Sequence, residues 1–402
     1  MTDKNGELDR RAVITALGLA QILAWGTSFY FPAVFATAIV ADTGWPLAWV
    51  VSGTSIGLLV AGLISPQVGR IIDRHGGRPV MLASSLFFTV GLAGAGLAPN
   101  LPLYLLAWAV IGIGMGTGLY DAVFAALGRL YGHDARGPIT NLTLFGGFAS
   151  TVCWPLSAFM IDHAGWRVAC LIYAGLHLAI ALPLQMSVIR RAVPRAVSDK
   201  TDNPDLRAEP ARIENETLIF ALLAVLLSIA AGIGSIVIVN FMIFLQARGV
   251  DYAVAVSLGA LFGPAQVGAR VVERLFGKSY HPIWTMVASC TLMAIGLLLL
   301  LFSVPALVLI ILIYGAGYGI SWIGRGTLPL ALFGPRRFPR LMGKLAFPSL
   351  IVQAAAPSAG AWLIEARGAD VTIGVLTILA LINVVLIGAL WTACRARISE
   401  DA

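Results

Sequence analysis

The chain has 402 residues, 58% of them hydrophobic and 12% charged, where soluble domains run at about 45–50% and about 25%. No water-soluble core of this length absorbs so much apolar surface, so the composition excludes a soluble enzyme or binding domain and predicts an integral membrane protein. The formal net charge of +7 then reflects loops sorted about a lipid bilayer, and nucleic acid is not expected as a partner.

A membrane span needs about 20 apolar residues, and twelve such runs follow one another: 13–40, 47–68, 79–98, 101–128, 139–161, 167–188, 217–245, 252–273, 283–303, 305–332, 342–364 and 370–394. The first run is too long for a signal-peptide core, so it is expected to be retained as span 1. Spans 2 and 3 are joined by the ten-residue charged turn 69–78, which forces two long helices to lie antiparallel and side by side. Gly69 and Gly76 let that backbone bend, and Asp73 among Arg70, Arg74 and Arg78 makes a cluster able to grip a neighbouring helix end.

One long polar stretch, 190–216, carries Pro194, Pro204 and Pro210 among many charges. Its composition predicts a linker without a fold of its own, dividing the chain into a six-span bundle at 1–189 and a second at 217–402. The halves echo each other at an offset near 200 residues. Gly112, Gly114, Gly116 and Gly118 in span 4 answer Gly315, Gly317 and Gly319 in span 10. Pro155, Asp162 and Gly165 answer Pro357, Glu365 and Gly368. The loop between spans 8 and 9 has drifted, with Lys278 near the place of Asp73. Sorting Lys and Arg by loop puts 22 on the side of the termini and three on the other, which predicts cytoplasmic termini in an inner or plasma membrane.

The turn reads Gly-x-x-x-Asp-Arg-x-Gly-x-Arg over Gly69, Asp73, Arg74, Gly76 and Arg78. Between spans 2 and 3 this pattern resembles the signature loop of the major facilitator superfamily of secondary transporters. The resemblance implies an all-α membrane protein of twelve transmembrane helices in two pseudo-symmetric six-helix bundles. It also implies alternating access to a solute bound between the bundles. Spans 1, 4, 7 and 10 would line the cavity, spans 2, 5, 8 and 11 would close its sides, and the 69–78 turn would latch the cytoplasmic side.

Three charges lie inside spans: Asp121 in span 4, Arg270 in span 8 and Arg325 in span 10. Each costs about 2.5–3.5 kcal/mol to insert near a helix centre, so each asks for a reason. Counting at about 1.5 Å per residue sets all three roughly 12–17 Å in from the same helix ends, in one layer. Two positives and one negative suit an anionic solute, and a guanidinium matches a carboxylate with two parallel hydrogen bonds. Arg270 resembles, by its position late in span 8, the substrate arginine of monocarboxylate and oxalate/formate transporters. The chain departs from that branch in having no lysine in span 1 and Gln266 in place of an acid four residues before the arginine. The alternative is that Asp121 pairs with Arg325 while Arg270 pairs with Glu273. Tyr30, Asn240 and Trp322 complete the candidate solute site, with Gln21, Trp25, Tyr120, Tyr314 and Tyr318 on the same spans.

The expected function is secondary transport of a small organic anion, a carboxylate, coupled to protons or a counter-anion, by a protein acting as a monomer. Proton-coupled export of hydrophobic or cationic compounds is the alternative, and the Gly-Pro pair that antiporters of the superfamily carry in span 5 is missing, since Trp154 precedes Pro155. A transporter-shaped sensor would need an appended soluble domain. Five scattered histidines, four cysteines without short spacing and no phosphate loop leave no cofactor, metal or catalytic constellation to expect.

Overall fold

In lipid every backbone N–H and C=O must find its partner within its own segment, so the apolar runs fold as helices. The computed structural model describes residues 4–189 and 215–400, with no strand among them. All but the last two residues of the expected linker lie outside the described residues. Among the described residues, seven helical stretches are long and apolar enough to cross a membrane. Leu101–Ser187 merges spans 4, 5 and 6, and Leu307–Arg367 merges spans 10 and 11. Spans 1 and 8 are each broken in two: Lys4–Gly26 with Pro32–Thr43, and Tyr252–Ala260 with Phe262–Phe276. Twelve spans result, in the all-α architecture expected.

The internal repeat shows in the turns. Gly44 (φ 68) and Gly249 (φ 76) stand 205 residues apart, and Gly165 (φ 80) and Gly368 (φ 86) 203 apart. These are left-handed backbones that a side chain rarely tolerates. After span 2 the chain turns on Gly76 (φ 79), whereas after span 8 Gly277 keeps a helical φ of −64, the structural trace of the drifted loop. The glycine strips are contact surfaces. A Cβ on Gly112 would stand 2.6 Å from the Gly57 carbonyl of span 2, and one on Gly319 would stand 2.6 Å from the Gln266 carbonyl of span 8.

The end that carries the 69–78 turn, called the basic end below, joins the two halves. The core around Phe88, Trp108 and Phe124 runs unbroken into Phe338, Met342 and Ala346 of the second half. Gly69 and Gly343 meet backbone to backbone, and Ser65 Oγ donates to the Gly343 carbonyl at 3.0 Å. Asp73 accepts from Arg340 Nε at 2.5 Å. Arg136 donates to the Tyr280 carbonyl at 2.7 Å and to that of Gly277. At the opposite end Arg167–Asp42 (3.5 Å) and Arg248–Asp370 (3.0 Å) each stay within one half.

Candidate functional site

Span 4 breaks two residues before Asp121. Gly118 ends one helix, Leu119 is extended (ψ −178), and Tyr120 begins the next. Asp121 therefore sits in a helix first turn, where the partial positive charge of the free N–H groups favours a carboxylate. Gln21 Nε2 donates to the Gly118 carbonyl at 2.5 Å, and Gln21 Oε1 accepts from Trp25 Nε1 at 3.1 Å. One amide thus ties the break in span 4 to the indole of Trp25.

Asp121 faces Arg325 across the two halves. Nε reaches Oδ1 at 2.7 Å and Nη2 reaches Oδ2 at 2.9 Å, a bidentate pair, while Nη1 donates to Ser349 Oγ at 2.6 Å. The guanidinium also lies 5.6 Å from the Trp322 ring centroid. This is the pairing weighed above as the alternative to solute binding, and it leaves Arg325 satisfied.

Arg270 differs. It is 3% exposed, and its partners are neutral: Nε to the Gly319 carbonyl at 3.0 Å, Nη1 to the Thr143 carbonyl at 2.6 Å and Nη2 to Gln266 Oε1 at 3.4 Å. Among the described residues no carboxylate stands within ion-pair distance of it. The alternative partner, Glu273, is engaged elsewhere. It accepts from Thr285 Oγ1 at 2.6 Å and from Tyr280, with Arg136 at 3.9 Å. Desolvation disfavours a charge that only dipoles balance, so Arg270 is a guanidinium left uncompensated among the described residues.

Thr143 belongs to span 5 and Arg270 to span 8, so their hydrogen bond crosses between the halves. Tyr120 Oη donates to the same Thr143 carbonyl at 3.3 Å. Space for both comes from two glycines. A Cβ on Gly147 would stand 2.8 Å from Arg270 Nη1, and one on Gly146 would overlap the Tyr120 hydroxyl. Aromatic rings surround this point. Trp25 lies 4.9 Å from Tyr120, 5.3 Å from Trp322 and 6.3 Å from Tyr30, centroid to centroid, and Tyr318 lies 6.1 Å from Trp322.

Of the candidate residues, Arg270, Gln266, Trp322, Tyr30, Asp121 and Arg325 thus share one neighbourhood. Asn240 does not join them: its Nδ2 donates to the Ile236 carbonyl of its own helix at 3.0 Å, beside Gly360 of span 11. In the turn, Asp73 meets the first turns of span 11 through Arg340, Arg74 is exposed and Arg78 is half-buried. Sequence reasoning missed Arg129, whose Nε donates to the Asp73 carbonyl at 3.2 Å. It also missed Arg340, Ser349, the Thr143 carbonyl and the Gly146–Gly147 clearing. Only the paired glycines left a signal in the sequence.

The Major Facilitator Superfamily profile matches residues 17–283. Over 363 residues the chain is 24% identical to monocarboxylate transporter 4 of Mus musculus, covering 85% of this chain and 75% of that one. Monocarboxylate transporter 3 of Rattus norvegicus is 27% identical over 379 residues, with 88% and 73% covered. The niacin transporter NiaP of Acinetobacter baylyi is 31% identical over 141 residues, only 34% of this chain and 31% of that protein. Among solved structures, the human organic anion transporter MFSD10 superposes with a TM-score of 0.72 at 16% identity, covering 94% of this chain and 99% of its own. The proton:xylose symporter XylE superposes at 0.70 with 12% identity, covering 94% and 95%. Twelve spans, the turn that ties them at one end and the matching profile together make this chain a member of the major facilitator superfamily, a transporter and not an enzyme.

Proposed function

We propose that the protein carries a small organic anion, a carboxylate, across the membrane by alternating access, with Arg270 as the anion-binding group. One observation carries this reading: Arg270 is buried, unmatched by any carboxylate among the described residues, and beside the seam between the halves. An entering carboxylate supplies the missing charge through charge-assisted hydrogen bonds, about twice as strong as those to a neutral carbonyl. It competes with the Thr143 carbonyl for Nη1 and so weakens one tie between the halves. Binding then favours the state in which the basic end parts, as differential affinity for two conformations requires.

Relatives named for monocarboxylates, niacin and organic anions support the substrate class. On the positive-inside rule the basic end faces the cytoplasm, and the 69–78 turn latches it through Asp73 and Arg340. Asp121 supplies the carboxylate of the layer, held by Arg325. Exchange for a counter-anion would need Arg270 alone.

The test is counterflow in proteoliposomes loaded with unlabelled lactate or benzoate and supplied with the labelled acid. Accumulation that disappears in Arg270→Ala is the expected result. Carboxylate exchange that survives Arg270→Ala, or accumulation of tetraphenylphosphonium with none of either acid, contradicts it and favours the export reading.

A further inference from the structure

We infer that the transported anion carries a flat aromatic ring; this rests on the anion reading above and names the class of acid that the Arg270 site takes. The guanidinium lies at the inner end of a ladder of rings. Trp154 of span 5, 43% exposed, packs edge-on against Tyr30 at 6.0 Å, and Tyr30 against Trp25. Trp25 meets Trp322 at an interplanar angle of 77°, and both adjoin Tyr120, whose hydroxyl shares the Thr143 carbonyl with Arg270. Phe29, Tyr30 and Trp322 are only partly buried.

Packing alone does not require this arrangement, because aliphatic side chains fill the seam of a membrane bundle as well and need no hydrogen-bond partner. Here two indoles are anchored by their N–H groups: Trp25 on Gln21, and Trp154 on the Tyr30 carbonyl at 3.3 Å. Their orientations are thereby fixed. Trp25 and Trp322 come from different halves, so their edge-to-face contact is made and broken as the halves move. A ligand ring entering between them replaces that contact with two of its own while its carboxylate reaches Arg270. Aromatic pairs in offset or edge-to-face geometry exceed the gain from area burial alone, so the site discriminates by π-face and not merely by apolar bulk.

The experiment is equilibrium binding of radiolabelled benzoate to purified protein, competed by benzoate, by cyclohexanecarboxylate (similar in size and polarity but without a π-face) and by lactate. The expected order is benzoate roughly 3- to 10-fold better than cyclohexanecarboxylate, the range set by one aromatic contact, with lactate weaker still. Trp322→Leu and Trp25→Leu should narrow the ratio of the two ring acids, and Trp322→Phe should restore it. Equal competition by the two ring acids, lost in Arg270→Ala, overturns the aromatic preference and leaves the anion site standing. Absence of any Arg270-dependent carboxylate binding overturns both. Because the first comparison uses the unaltered protein, a variant that fails to fold does not blunt it.

Discussion

The two ends of this molecule are built from the same repeat and held in opposite ways. At the basic end the ion pairs Asp73–Arg340 and Arg136–Glu273, and deeper in Asp121–Arg325, all cross from one half to the other. At the opposite end Arg167–Asp42 and Arg248–Asp370 brace each half separately. The lesson is that conformation here is written in where the ties cross. Among the described residues the ion pairs of one end cross between the halves and those of the other do not, so each crossing tie adds to the cost of parting the basic end.

The deepest tie should be the hardest to lose. Asp121→Ala leaves the Arg325 guanidinium buried without its carboxylate, and breaking a buried pair from one side costs about 3–5 kcal/mol. Thermal unfolding in detergent should fall accordingly, and Asp121→Ala with Arg325→Leu should recover most of the loss. A single variant as stable as the parent would show that the pair carries no weight.

Gly343→Ala comes next. Its methyl would overlap the Ser65 carbonyl where spans 2 and 11 touch, and forced overpacking costs about 1–3 kcal/mol. That penalty falls on the sealed state alone. Spin labels at positions 134 and 279 should move apart while labels at 162 and 370 move together. All four native cysteines are buried and need little attention in such labelling.

Asp73→Asn should act in the same direction and less strongly. Arg340 is 55% exposed, and exposed pairs contribute about 1 kcal/mol or less, at most about a fivefold shift in population. The same pair of distances reads it. An unchanged distribution would remove Asp73 from the latch.

Much of this frame was legible in the residues. Apolar runs, the 69–78 turn and the glycines repeated near 200 residues apart specify twelve spans in two halves, because lipid leaves the backbone few options. Asp121 and Arg325 could be set at one depth by counting along their helices, yet counting could not decide whether they meet. The surroundings of Arg270 were hidden for a different reason. Its partners are the carbonyls of Thr143 and Gly319, 127 and 49 residues away, and a carbonyl has no residue type to read. Glu273, three residues on, looked like a helical neighbour for it. Thr285 and Tyr280, from a span and a loop still to come, claim that carboxylate first. Asn240 shares a cavity-lining span by resemblance but turns toward Gly360, a rotation that helix counting does not fix.

Titration calorimetry of benzoate against three proteins puts the unmatched charge to its most direct trial: the parent, Arg270→Gln, and the double variant Asp121→Asn with Arg325→Gln. Hydrogen bonds to a charged group are worth about 1.5–3 kcal/mol, so Arg270→Gln should weaken binding by at least about tenfold while the double variant, which deletes a charge-balanced pair, loses far less. Full affinity in Arg270→Gln, with binding abolished in the double variant, would contradict the account and move the anion site to Arg325.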